Sequence, residues 1–115
     1  MPSRAGRIFT YDEALATFPA VRDRTEAAVR RIEALVNALR SGEELERRRQ
    51  ETEAAYRGIV GAWAAEIEAL GCLVKGLWLV DWDAGDGYYC WQYPEPSIGH
   101  FHSHEEGFAG RVPIA

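Results

Sequence analysis

The hydrophobic pattern changes period once, at Gly71, and no other feature limits the fold as much. Upstream, apolar residues recur at helical steps. Ala28, Ile32, Leu35 and Leu39 follow one another by four, three and four positions, and Tyr56, Ile59, Trp63, Ile67 and Leu70 repeat the spacing. Downstream, Leu77, Leu79, Asp81 and Asp83 alternate with Trp78, Val80 and Trp82, which is the two-residue period of a strand. Neither half can take the other's structure and still bury its apolar side, so the chain is predicted to be α+β, helices first and sheet second. A chain of 115 residues has room for one core, and residues 1–115 are read as a single domain.

Thr10-Tyr11-Asp12-Glu13 carries a capping-box pattern and starts the first helix; Met1 to Phe9 form a lead-in with little to hold it. Pro19 lacks an amide proton and disfavours helical geometry at Phe18, which predicts a break and a fresh start near Ala20. Ser41-Gly42 supplies a stop, a second helix runs from about Glu43, and Gly71 ends it. The result is a long antiparallel helical hairpin over residues 10–70, each arm on the order of 30 Å long. Two helices bury only a narrow stripe of each other. Val29, Val36, Val60 and Ala64 widen the stripes beyond that, so a homodimer through the hairpin is expected.

Gly85-Asp86 between two alternating runs favours a two-residue loop, which pairs Asp83 with Tyr88, Asp81 with Cys90 and Leu79 with Gln92. One face then carries Leu77, Leu79, Asp81, Cys90 and Gln92, and the aromatic face carries Trp78, Val80, Trp82, Tyr89, Trp91 and Tyr93. After Pro94-Glu95-Pro96, Ile98 to His102 completes a small three-stranded antiparallel sheet. Its register is open, because a turn of three residues or of four decides whether His100 and His102 stand together beside Asp81 and Cys90 or together over the tryptophans. Phe108, between Gly107 and Gly110, is expected to plug an apolar pocket.

The net charge of −5 is uneven. Residues 1–70 hold 11 Lys and Arg against 12 Asp and Glu, whereas residues 71–115 hold 2 against 6 and all three histidines. A surface for nucleic acid needs clustered positive charge, so that partner class is excluded and a cation is favoured. Arg47-Arg48-Arg49 is ringed by glutamates and reads as a solvated helix face. No apolar run reaches the roughly 20 residues that cross a bilayer, and the first residues lack a signal-peptide pattern. Cys72 and Cys90 have no CxxC spacing. Free thiols and a cytoplasmic location are expected, with no membrane partner.

His100 and His102 lie two apart on one strand face, roughly 6.5–7 Å between Cα atoms, and can converge on one ion. Glu105 or Glu106 can enter from the following turn, with Asp81 and Cys90 as further candidate ligands. Two histidines and a carboxylate suit zinc or iron, and a thiolate favours zinc. Two plainer readings compete with this: exposed histidines on an edge strand, and an Asp81–Arg111 ion pair that anchors the last turn. Cys90 as nucleophile with His102 as base lacks a third orienting group, so no catalytic residue is assigned. The function expected is a non-enzymatic binding or assembly module with a divalent-metal site; the alternative is a small metal-dependent hydrolase-type enzyme. The small-molecule ligand is left open.

Phe9-Thr10-Tyr11-Asp12-Glu13-Ala14 with Pro19, Gly76 to Val80-Asp81-Trp82, Cys90-Trp91, Glu95-Pro96, and His102 through Glu105, Gly107-Phe108-Ala109-Gly110-Arg111 and Pro113 form an ordered set of short motifs. Taken together, the set resembles the bacterial domain of unknown function numbered 2203 over nearly the whole chain. The resemblance implies a small bacterial protein with a helical hairpin followed by a β-rich segment, and it implies no reaction. It marks Asp81, Cys90, Trp91, His102, Glu105 and Arg111, whereas His100 and His104 are additions in this sequence.

Overall fold

The computed structural model describes residues 7–39 and 42–114. The chain is α+β, a helical hairpin followed by an antiparallel sheet. Helix α1 spans Tyr11–Asn37, α2 Gly42–Arg47 and α3 Arg49–Ala69. Thr10 caps α1 through the reciprocal bonds its sequence predicts: its hydroxyl accepts from the Glu13 amide at 3.1 Å, and the Glu13 carboxylate accepts from the Thr10 amide at 2.8 Å. Pro19 does not break α1, contrary to expectation. The carbonyl that loses its donor belongs to Leu15, and both residues are exposed, so water can replace the missing bond. The second arm is instead divided at Arg48. The expected stop at Ser41 lies outside the described residues, as do residues 1–6 of the lead-in. From Arg7 onward the lead-in is held: the Phe9 side chain is buried and its amide donates to the Asp83 carbonyl at 2.8 Å.

Five strands form the sheet where three were expected: β1 Leu73–Gly76, β2 Leu79–Asp83, β3 Tyr88–Gln92, β4 His100–His102 and β5 Val112–Pro113, in that spatial order and all antiparallel. The β2–β3 register is the one Gly85-Asp86 dictates, with Asp83 opposite Tyr88 and Asp81 opposite Cys90. Gly85 takes φ +94°, which favours glycine. Two extra strands arise because Leu77 and Trp78 form a turn rather than the start of β2, and because Val112–Pro113 pairs with β4. Proline tolerates that place since an edge strand leaves one side of its backbone unpaired. Trp78 sits at φ +58°, a strained conformation for a bulky residue. Its ring packs edge-on against Trp63 with centroids 4.8 Å apart, and its carbonyl accepts from the Tyr93 amide, so tertiary contacts hold it there.

The hairpin covers the aromatic face. Phe18, Val21, Ile67, Val80, Trp82, Trp91 and Ile98 form the buried core with Phe9 and Trp63. Burying indoles requires acceptors for their N–H groups, and α1 supplies two with threonines eight residues apart. Trp82 donates to the Thr17 hydroxyl and Trp63 to the Thr25 hydroxyl, each at 2.8 Å, and each hydroxyl donates on to a helix carbonyl. The opposite face of the sheet therefore turns away from the helices. Segment 103–111 lies beside that face and Phe108 borders the cleft there. Phe108 itself is 47 % exposed with the Arg111 guanidinium over its ring, so it does not plug a pocket as expected.

Candidate functional site

On the face away from the helices, β4 pairs so that His100 stands opposite Cys90 and His102 opposite Tyr88. Of the two registers open in the sequence, this one puts both histidines on the side of Asp81 and Cys90. A ligand atom from each of Asp81, Cys90 and His102 lies within 4.8 Å of the other two, and all three residues are buried. His100, Glu105 and Glu106 are not part of this cluster. His100 Nδ1 stands 3.8 Å from Glu95 Oε2 without a hydrogen bond. Glu106 pairs with the Ser103 hydroxyl, and Glu105 is exposed.

The two ring nitrogens of His102 have different partners. Nδ1 is 2.8 Å from the Ser103 carbonyl, which can only accept, so Nδ1 carries the proton. Nε2 faces Asp81 Oδ2, 2.9 Å away. Two lone pairs that close repel, so a positive species belongs between them: a proton or a metal ion. The second carboxylate oxygen, Asp81 Oδ1, is buried and accepts no hydrogen bond. Burial pushes the Asp81 carboxyl up, against the opposing pull of Cys90, His102 and Lys75, whose ammonium is 4.0 Å from Oδ2. The Cys90 thiol is pushed up to about 12 by burial and by Asp81, with Arg111 opposing, so it is no ready nucleophile.

Residues 7–114 match the family described as Uncharacterized conserved protein (DUF2203). The chain belongs to that family. No curated protein and no solved structure matches it. Of the positions the DUF2203 resemblance marks, Asp81, Cys90 and His102 meet at this cluster, and Trp91 lies in the core beneath. Arg111 does not pair with Asp81. It grips Glu95 with two bonds of 3.1 and 2.7 Å and reaches Cys90 Sγ at 3.9 Å. Burial alone would raise the Glu95 carboxyl, but the Arg111 bonds and the Gln92 amide outweigh it and hold the carboxyl low.

A cleft of about 240 Å³ opens on the cluster, lined by Lys75, Leu79, Asp81, His102, His104, Gly107 and Phe108. Sequence reasoning missed Lys75 because it stands on the unrecognised strand β1, and missed Glu95 by reading it as a turn residue. In the triple-arginine stretch Arg48 pairs with Glu51, and Arg49 with Glu46 and Glu53, all at the surface, consistent with a solvated face. Cys72 and Cys90 are both free. No helix among the described residues is long and apolar enough to cross a membrane.

Proposed function

We propose that this protein is a cytoplasmic, non-enzymatic binding module built around a divalent-metal site, with Asp81, Cys90 and the Nε2 atom of His102 as ligands. The observation that carries the reading is the orientation of the His102 ring. A backbone carbonyl holds the Nδ1 proton, which is the usual outer-shell partner of a metal-bound imidazole, and leaves Nε2 facing a buried carboxylate. The orphaned Asp81 Oδ1 supports it. Ligands of a tetrahedral zinc ion stand about 3.3–3.6 Å apart, so side-chain rotations of about an ångström bring the three atoms to bonding distance. The thiolate selects zinc over iron. Three protein ligands leave a fourth position, as in zinc sites that receive a further ligand.

Elemental analysis of untagged protein is expected to find one zinc per chain. Uptake must expel the Cys90 proton, held at about 12, so affinity rises about tenfold per pH unit near neutrality, measured by chelator competition at two pH values. Protein that takes up no zinc at micromolar metal would remove the reading. A hydrolase would need a base beside the fourth position. The cleft lining offers no carboxylate other than Asp81, and the Nε2 of its imidazole His104 is turned to Asp83 Oδ1 at 3.4 Å, which favours binding over catalysis.

Self-association through the hairpin belongs to the same proposal. The distal hairpin leaves apolar side chains uncovered: Val36 is 56 % and Tyr56 38 % exposed, and Ile32 and Leu35 are only partly buried. A second copy laid against them is expected to give a dimer by analytical ultracentrifugation, and Val36→Glu to return it to monomer. A monomer at all concentrations would sink this part alone.

A further inference from the structure

We propose that the cleft beside Asp81 and His102 binds a small monocarboxylate with a short apolar tail, one oxygen on the open metal position and the other on the Lys75 ammonium. The proposal rests on the zinc reading above. A zinc ion balanced by the Asp81 carboxylate and the Cys90 thiolate is electrically neutral, so Lys75 becomes the unbalanced charge at the mouth of the cleft. Lys75 is well placed for an anion. Its side chain is 39 % exposed, its Nζ stands 4.0 Å from Asp81 Oδ2, and the same Nζ sits over the Tyr88 ring, 4.1 Å from the centroid, which fixes the ammonium beside the cleft. His104, the other basic side chain of the lining, is turned to Asp83, its Nε2 3.4 Å from Oδ1.

One cation and one metal position match a single negative charge. Phosphate sites gather arginines or the N-terminus of a full helix; the lining supplies no arginine and only the start of a three-residue 3-10 turn, Phe108–Gly110, and the one arginine nearby is held by Glu95. The apolar part of the lining is Leu79 and the half-exposed ring of Phe108. At about 240 Å³ the cleft is below the roughly 300–1,000 Å³ of sites for drug-sized ligands, so the tail is a few carbons long.

The test loads the full chain with cobalt(II) and follows its visible spectrum during titration with acetate, butyrate and inorganic phosphate. A saturable shift is expected with butyrate, about 15-fold tighter than with acetate, since it carries two more methylenes and each adds about fourfold when buried. Lys75→Met is expected to weaken butyrate about tenfold, read against that variant's own carboxylate-free spectrum. Phe108→Ala should bring butyrate down to the acetate value. A cobalt spectrum that butyrate leaves unmoved, or that phosphate shifts at lower concentration, overturns the proposal while the metal site stands. Absence of any cobalt spectrum overturns both.

Discussion

Asp81→Asn is expected to abolish zinc uptake and yet leave a stable fold, whereas His102→Ala is expected to lose both. The asymmetry follows from the bond at 2.9 Å between Asp81 Oδ2 and His102 Nε2. An asparagine amide can donate to the Nε2 lone pair that the Ser103 carbonyl fixes in place, so the buried pair keeps a hydrogen bond and sheds a buried charge. It removes the anionic ligand, and a fall in zinc affinity of at least about 100-fold follows, since even outer-shell changes cost 10–100-fold. His102→Ala instead leaves a carboxylate 1 % exposed with only the Cys90 thiol and Lys75, at 4.0 Å, to answer it. Removing one partner of a buried ionic pair costs about 3–5 kcal/mol. That loss should shrink in acid. Burial already raises the Asp81 carboxyl above its unfolded value, so the native state binds the proton first, and stability falls as pH rises through the window between the two values. Denaturant midpoints at pH 5 and pH 8, with zinc titrations alongside, check both halves. An Asp81→Asn protein that unfolds, or one that still binds zinc tightly, would show that the pair is not what holds this face together.

The division of the chain into helices and sheet was legible because Gly71 separates two hydrophobic periods, and the β2–β3 register because Gly85-Asp86 permits one short loop. What escaped was decided by contacts between distant residues. Strand β1 was hidden because its turn is made by Leu77 and Trp78, neither a turn-forming residue, and Trp78 accepts φ +58° only because Trp63 receives its ring. The helix through Pro19 survives because of solvent exposure, which local sequence does not reveal. The histidine register depended on how the chain returns after Gln92. It is set by Ile98, buried in the core with its carbonyl accepting from Tyr11, and by Glu95, which takes the Gln92 amide and the Arg111 guanidinium. Cβ space adds a further constraint: a side chain at Gly87 would meet the His102 carbonyl oxygen at 2.6 Å, so β3 and β4 can approach only with glycine there. The candidate ligands Asp81, Cys90 and His102 were all in the sequence reading. Which of the six named residues meet was a property of the register.

Trp63→Ala is expected to be the most damaging single change in the core, because Trp63 joins the hairpin to the sheet. The side chain is 2 % exposed, packs edge-on against Trp78 and donates to Thr25 on the facing helix. Truncating a buried tryptophan costs about 3–5 kcal/mol, a large share of the 5–15 kcal/mol by which domains are stable. It also withdraws the contact that holds Trp78 in its strained turn, so β1 and Lys75 should loosen with it. Thr25→Val tests the hydrogen bond separately. The indole N–H then has no acceptor in an apolar surrounding, a loss of about 1–3 kcal/mol. Trp63→Phe deletes the donor and keeps most of the ring, and it leaves the Thr25 hydroxyl bonded to the Val21 carbonyl. Thr25→Val combined with Trp63→Phe should therefore cost less than the two single changes added together, since no donor is left stranded in the double variant. Thermal unfolding of the four proteins measures this coupling. Strict additivity would mean that the Trp63–Thr25 bond contributes nothing, and that the indole is held by packing alone.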